Sequence, residues 1–313
     1  MTMNDLRQIE YGKIPKVLFL GNGVNLATRS KDDLSWGELL KRISSGKHDY
    51  NMDRIEKMPY PLQAVVLTED NIDNRLEEIS KTLLPKELSD NRSSLLRKYT
   101  ELSFDAILTT NYTYEIEMAL NSEFNCKLKS PSKWRKSAMK GSKIQEQFGL
   151  FKFMKLADED SDYYVWHIHG EAARPRSMVL GHYYYSKLLR LIQDRVANTV
   201  KRYKTTSRNK MAFTPQSWID YFLLGDVYVV GYGLDFSEMD IWWLINCKKR
   251  NFSECGDIFY YEPGLSKSGD KYAKRALADS YGVEMPEIDF DGDYYLYYRK
   301  VAEDIEVNRM RRI

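Results

Sequence analysis

The sequence predicts an α/β protein, a Rossmann-like parallel sheet with helical insertions that form a second, smaller lobe. Three observations carry this expectation. Short apolar runs such as KVLFL (16–20), AILT (106–109) and DVYVV (226–230) read as strands buried on both faces. Each run ends in small or polar residues, GNGVN at 21–25, TNY at 110–112 and GYG at 231–233. An open parallel sheet delivers functional groups to the carboxyl ends of its strands in this way. Helical segments separate the runs, and alternating strand and helix is the mark of parallel crossover connections.

In chain order, the strand at 16–20 leads through its glycines to a helix at 36–43, WGELLKRI. From 53 to 99 the pattern is helical: Ile72, Leu76, Ile79 and Leu83 share one face, with charges opposite. Pro85 is expected to start the next helix, PKELSDNRSSLLRKY, which leads to the strand at 106–109. TYEIEMAL after Asn111 reads as a short helix. Residues 127–149 are basic and broken by Pro131 and Gly141, which predicts a loop with marginal helical structure. Strands are expected at 163–168 and 178–180, a long amphipathic helix at 184–203 and a short one at 218–224. After the strand at 226–230 come a helix at 237–247, a strand at 258–261, and helices from Lys267 and from about Asp293. There is no internal repeat. We read one domain over 1–313, with insertions at about 45–100 and 183–224.

Composition narrows the function classes. The net charge of +2 on 313 residues is near balance and spread along the chain, so a nucleic-acid partner is not expected. The three cysteines, Cys126, Cys247 and Cys255, form no CxxC; they build neither a disulfide framework nor a four-cysteine zinc site, and no metal is expected. No window reaches the roughly 20 apolar residues of a membrane span, and residues 1–16 lack the apolar core of a signal peptide. A cytoplasmic protein without membrane contact is expected.

Among groups able to carry chemistry, GNGVN is open to two readings. It is either an ordinary tight turn or a cradle in which glycines let backbone N–H groups approach a pyrophosphate; the full GxGxxG is absent because Leu26 stands at its last position. Gly231, Tyr232 and Gly233 repeat the pattern more weakly. Asn111 either offers its amide to a ligand hydroxyl or water, or caps the helix that follows, a task Thr113 can also perform. Of the four histidines, His167 and His169 lie two apart in one expected strand, which would point both rings to the same face. They read as proton-transfer groups, as satisfied structural residues, or as a metal pair without an evident third ligand.

GNGVN, TTNY, HIHG and the late GYGL, in this order and at strand ends, resemble the sirtuin-like NAD-consuming proteins of bacteria, many of which act in phage defence, and also the phage abortive-infection family AbiH. The resemblance runs from about Lys16 to Leu244. It implies that Gly21, Gly23 and Asn25, with Asn22 between them, form the loop under the NAD pyrophosphate. It implies further that Asn111, preceded by Thr110, orients the ribose or the attacking water, that His169 is the catalytic histidine, and that Gly231, Tyr232 and Gly233 close on the adenosine ribose and phosphates. The chain departs from deacylating sirtuins in lacking both CxxC pairs and the phenylalanine-arginine of their cofactor loop. Thr113 replaces the Asp of many members, and Gly233 replaces a Ser.

The function so implied is an NAD glycohydrolase that cleaves the nicotinamide–ribose bond without a metal, in antiphage defence by NAD depletion (abortive infection). An NAD-dependent protein deacylase, an ADP-ribosyltransferase and a non-catalytic sensor of an NAD derivative are the alternatives. Expected partners are NAD, a second copy of the chain in a homo-oligomer, and a regulatory or phage-derived activator protein.

Overall fold

The computed structural model describes residues 6–29, 34–42, 44, 51–69, 71–83, 88–120, 134–136, 148–157, 162–264 and 271–311. Seven strands form one sheet: β1 Lys16–Leu20, β2 Ala106–Thr109, β3 Trp134–Lys136, β4 Lys152–Ala157, β5 Asp162–His167, β6 Asp226–Val230 and β7 Ile258–Tyr261. Their spatial order is β3-β4-β5-β2-β1-β6-β7. The five strands from β5 to β7 are parallel, while β3 and β4 are antiparallel additions at one edge. The sheet is therefore mixed rather than wholly parallel. A parallel neighbour needs a long crossover, whereas β4 reaches β5 through a short connection and must run antiparallel to it.

The described helices are α1 Gly23–Ala27, α2 Trp36–Arg42, α3 Met52–Ile55, α4 Tyr60–Thr68, α5 Ile72–Leu83, α6 Asp90–Thr100, α7 Glu115–Leu120, α8 His182–Arg208, α9 Trp218–Leu224, α10 Met239–Asn251, α11 Tyr272–Ser280 and α12 Tyr294–Arg311. Alternation along each strand divides them into two layers. Val17, Phe19, Leu108, Trp166, Val227 and Val229 face a core with side chains of α2, α4, α5, α8, α9 and α10. Leu18, Leu20, Ile107, Val165, Tyr228 and Val230 face the other, built with α1, α6, α7 and α12. The fold class is thus α/β, a mostly parallel Rossmann-like sheet covered on both faces.

Three expectations differ from the structure. Trp134–Lys136, within the stretch read as a loop, forms β3 and pairs antiparallel with β4. Residues 178–180 are fully buried but form no strand; Val179 N–H donates to the His169 carbonyl at 2.7 Å and its own carbonyl accepts from the Tyr112 hydroxyl, so no strand ladder is built. The helix assigned a start at Pro85 begins at Asp90. Ser89 is its cap, with extended backbone and its side chain accepting from Arg92 N–H. Residues 84–87 and most of 127–149, like His48 and Cys126, lie outside the described residues. Among the described residues no helix is long and apolar enough to cross a membrane.

Candidate active site

Register sets the site. Leu20 pairs with Thr109 on one side and Val230 on the other, Thr109 pairs with His167, and Val230 with Tyr261. Five carboxyl ends therefore stop at one level, and the residues just beyond, Gly21, Thr110 and Gly231, stand side by side at strand spacing, about 5 Å. The four predicted loops meet at one edge. The Thr109 hydroxyl donates to the Leu20 carbonyl at 2.8 Å and ties β2 to β1 there.

The two glycine loops interlock. Gly21 N–H donates to Val230 O at 2.9 Å and Gly23 N–H to Gly231 O at 2.7 Å. A Cβ on Gly21 would lie 2.4 Å from Gly231 O, and one on Gly23 2.8 Å from the same atom. Gly231 has φ +67°, the left-handed region that glycine enters without strain. These glycines let two backbones pass each other, a use the sequence does not reveal. Gly233 is different: it is exposed, and a Cβ there would meet nothing within 4 Å. Tyr232 is buried, its ring edge-on to Phe19 with centroids 5.0 Å apart. Asn22 is half-buried and accepts from the buried Asn25 amide at 3.4 Å, and Arg92 holds the Asn25 carbonyl at 3.1 Å.

Thr110 and Asn111 follow β2 and are half-buried. Asn111 N–H donates to Thr109 Oγ1 at 3.1 Å, and its carbonyl accepts from His167 Nδ1 at 2.7 Å. Its side-chain amide makes no hydrogen bond among the described residues. That leaves it available to a ligand.

The two histidines diverge, against the expectation of a shared face. Strand β5 ends at His167, and Gly170 at φ +89° turns the chain, so alternation no longer governs His169. His167 lies in the α7 layer, where Nε2 bonds Glu117 Oε1 at 2.8 Å; the pair is buried. Burial by itself lowers its pKa, but the Glu117 carboxylate outweighs this and raises it to about 9. His169 turns into the opposite layer. Its Nε2 lies 2.8 Å from Asp240 Oδ2, and its ring sits edge-on to Tyr185 at 5.3 Å. Burial opposes the charged ring here too, and Asp240 again raises the pKa. Glu238 stands against this pair; burial pushes its carboxyl up to about 7, with His169 pulling it down and Asp240 adding to the rise.

His169, Glu238 and Asp240 offer a nitrogen and two carboxylate oxygens within 4.8 Å of one another, a donor set able to take a divalent cation. Sequence reasoning missed both carboxylates. Asp240 is 71 residues from His169, and its only local signal is an acid in the first turn of the helix after the late glycine loop. A small pocket beside His167, lined also by Gly170, Glu171, Arg174 and Ser177, does not include His169.

Residues 105–218 match the family model of the SIR2-like domain. The segment runs from the threshold of β2 to the first residue of α9. It holds Asn111, His167 and His169 but neither glycine loop. No curated protein matches the chain. The match supports the sirtuin-like family; SIR2-like domains engage NAD and are typically NAD-dependent enzymes, which suggests NAD-related activity.

Proposed function

We propose that the protein is an NAD glycohydrolase that yields nicotinamide and ADP-ribose, acting in antiphage defence by NAD depletion. One observation carries this reading: the register ends β1, β2, β5 and β6 at one level, with Gly21, Thr110 and Gly231 next in the chain and Asn111 and His169 two residues past their strands, and ligands of open α/β sheets bind at that edge. The SIR2-like match spans the two residues given catalytic roles. The defence role follows from the resemblance to phage-defence and AbiH proteins.

In this reaction a water oxygen bonds to the anomeric carbon as the carbon–nitrogen bond breaks, and the bonding pair leaves on the nicotinamide nitrogen. The ribose takes on oxocarbenium character, so the site must hold the sugar and aim one nucleophile. The Asn111 amide orients that water or a ribose hydroxyl. His169 accepts the proton released and passes it to solvent. The loops at Gly21–Asn25 and Gly231–Gly233 hold the diphosphate and adenosine, and no step requires a metal. Uncontrolled NAD loss would be toxic, so assembly of the chain into a homo-oligomer or contact with a regulatory or phage-derived protein is expected to govern activity.

The test is chromatography of nicotinamide and ADP-ribose after incubating the protein with NAD. His169→Ala and Asn111→Ala should each lose on the order of a hundredfold or more, as for a general base and its partner, in protein shown by circular dichroism to remain folded. Equal cleavage by wild type and His169→Ala removes the assignment. The near-complete burial of His169, 3% exposed, favours one second reading, an NAD-derivative sensor. Ligand binding without nicotinamide release would select it.

A further inference from the structure

We propose that Asp240 is the positioning residue of His169, holding the imidazole by Nε2–H so that Nδ1 is the nitrogen that receives the proton. The inference rests on the hydrolase reading for the identity of the reaction, but the pairing stands on geometry. His169 and Asp240 are 3% and 1% exposed, and Nε2 and Oδ2 are 2.8 Å apart. An acceptor-only carboxylate at that distance selects the tautomer that carries hydrogen on Nε2. Nδ1, by contrast, makes no hydrogen bond with any described residue.

The surroundings keep Asp240 committed to this task. It is the second residue of α10, where helix N–H groups and the helix dipole favour a negative charge. Among the described residues no lysine or arginine pairs with it, and its other oxygen, Oδ1, is buried without a hydrogen-bond partner. His169 is thus its single hydrogen-bond partner, and Tyr185, edge-on to the ring at 72°, limits rotation. When a proton reaches Nδ1, the imidazolium is already paired, so a poor acid such as water or a sugar hydroxyl can give up its proton as the C–N bond breaks. The groups around the ring, Asp240, Glu238, Tyr185 and Tyr232, include no cation that would oppose this.

The pairing is tested on the full-length protein by 15N NMR of the His169 ring at a pH where it is neutral, and by NAD kinetics, in wild type, Asp240→Asn and Asp240→Glu. We expect hydrogen on Nε2 in wild type, and a changed or mixed tautomer in Asp240→Asn. In kinetics, kcat should fall about a hundredfold or more with KM little changed, and Asp240→Glu should restore part of it. Hydrogen on Nδ1 in the wild type, or an Asp240→Asn variant with wild-type tautomer and kcat, overturns the proposal. Should the Asn variant not fold, the wild-type tautomer and Asp240→Glu still decide. If the wild type releases no nicotinamide but shows the expected tautomers, the hydrolase reading fails and the pairing survives. Stoichiometric Mn2+ or Zn2+ binding by EDTA-treated wild type, lost in Asp240→Asn, would assign the cluster to a cation instead.

Discussion

The buried pair of His167 and Glu117 makes a measurable claim on stability. Its side chains are 2% and 0% exposed with Nε2 and Oε1 2.8 Å apart, so solvent screening is slight. The ring's pKa is raised to about 9 in the folded protein, against about 6.5 in an unfolded chain. A raised histidine contributes fully below the unfolded value and loses that contribution as pH climbs through the folded one. At about 1.4 kcal/mol per unit, the whole shift is worth roughly 3 kcal/mol, of which about 2 kcal/mol should vanish between pH 6.5 and 8. Above that window Lys248 interferes: burial lowers its pKa to about 8, and such a lysine destabilises less as pH rises. His169 is also raised and falls in the same direction as His167. The assay is therefore a difference: urea midpoints of wild type and Glu117→Gln at pH 6.5 and 8. The wild type should lose about 2 kcal/mol more than the variant over this interval. Parallel profiles would refute the view that Glu117 holds a charged His167.

Other expectations follow from close packing and charge. Gly21→Ala should prevent normal folding or lower Tm by many degrees, because its Cβ would lie 2.4 Å and 2.5 Å from the backbone of Gly231 and Tyr232; a wild-type melting curve would mean the loops part easily. Gly233→Ala should leave Tm unchanged, since its Cβ meets nothing within 4 Å, and should raise KM for NAD if the late loop approaches the nucleotide. Asp220→Ala should cost about 3–5 kcal/mol in urea unfolding by removing the carboxylate that faces the buried Arg195 guanidinium; Arg195 Nη2 and Thr199 Oγ1 lie 2.6 Å and 2.5 Å from Asp220. A loss under 1 kcal/mol would show that water takes over the arginine.

The strand ends were legible because the signal is local. An apolar run followed by glycine or asparagine needs no knowledge of neighbours, and Leu20, Thr109, His167 and Val230 all lie at the level those runs imply. What escaped depends on topology. Nothing in GNGVN announces that Gly231 will occupy the space beside it, since β1 and β6 are 210 residues apart along the chain at Lys16 and Asp226, which also form an ion pair. Extending β5 through His169 applied alternation past the point where the ladder stops, and so gave both histidines one face. Asp240 and Glu117 stayed hidden because an acid in the first turn of a helix is ordinary until its distant partner is known.

The divergence of the histidines also changes how mutational losses should be interpreted. Both rings are tied to buried carboxylates, so substitution of either leaves an acid without its partner, and a loss of activity alone cannot tell chemistry from packing. Their places in the fold supply the distinction. His167 is locked at both nitrogens, by Glu117 and by the Asn111 carbonyl, and has no ring atom left for a proton in transit. His169 is held at one nitrogen only. A group that exchanges protons with a substrate must keep one nitrogen uncommitted. His167 therefore braces the Asn111 backbone, while His169 alone has the bonding pattern of a base. The Asn111 main chain is fixed by His167, while its side-chain amide makes no hydrogen bond among the described residues.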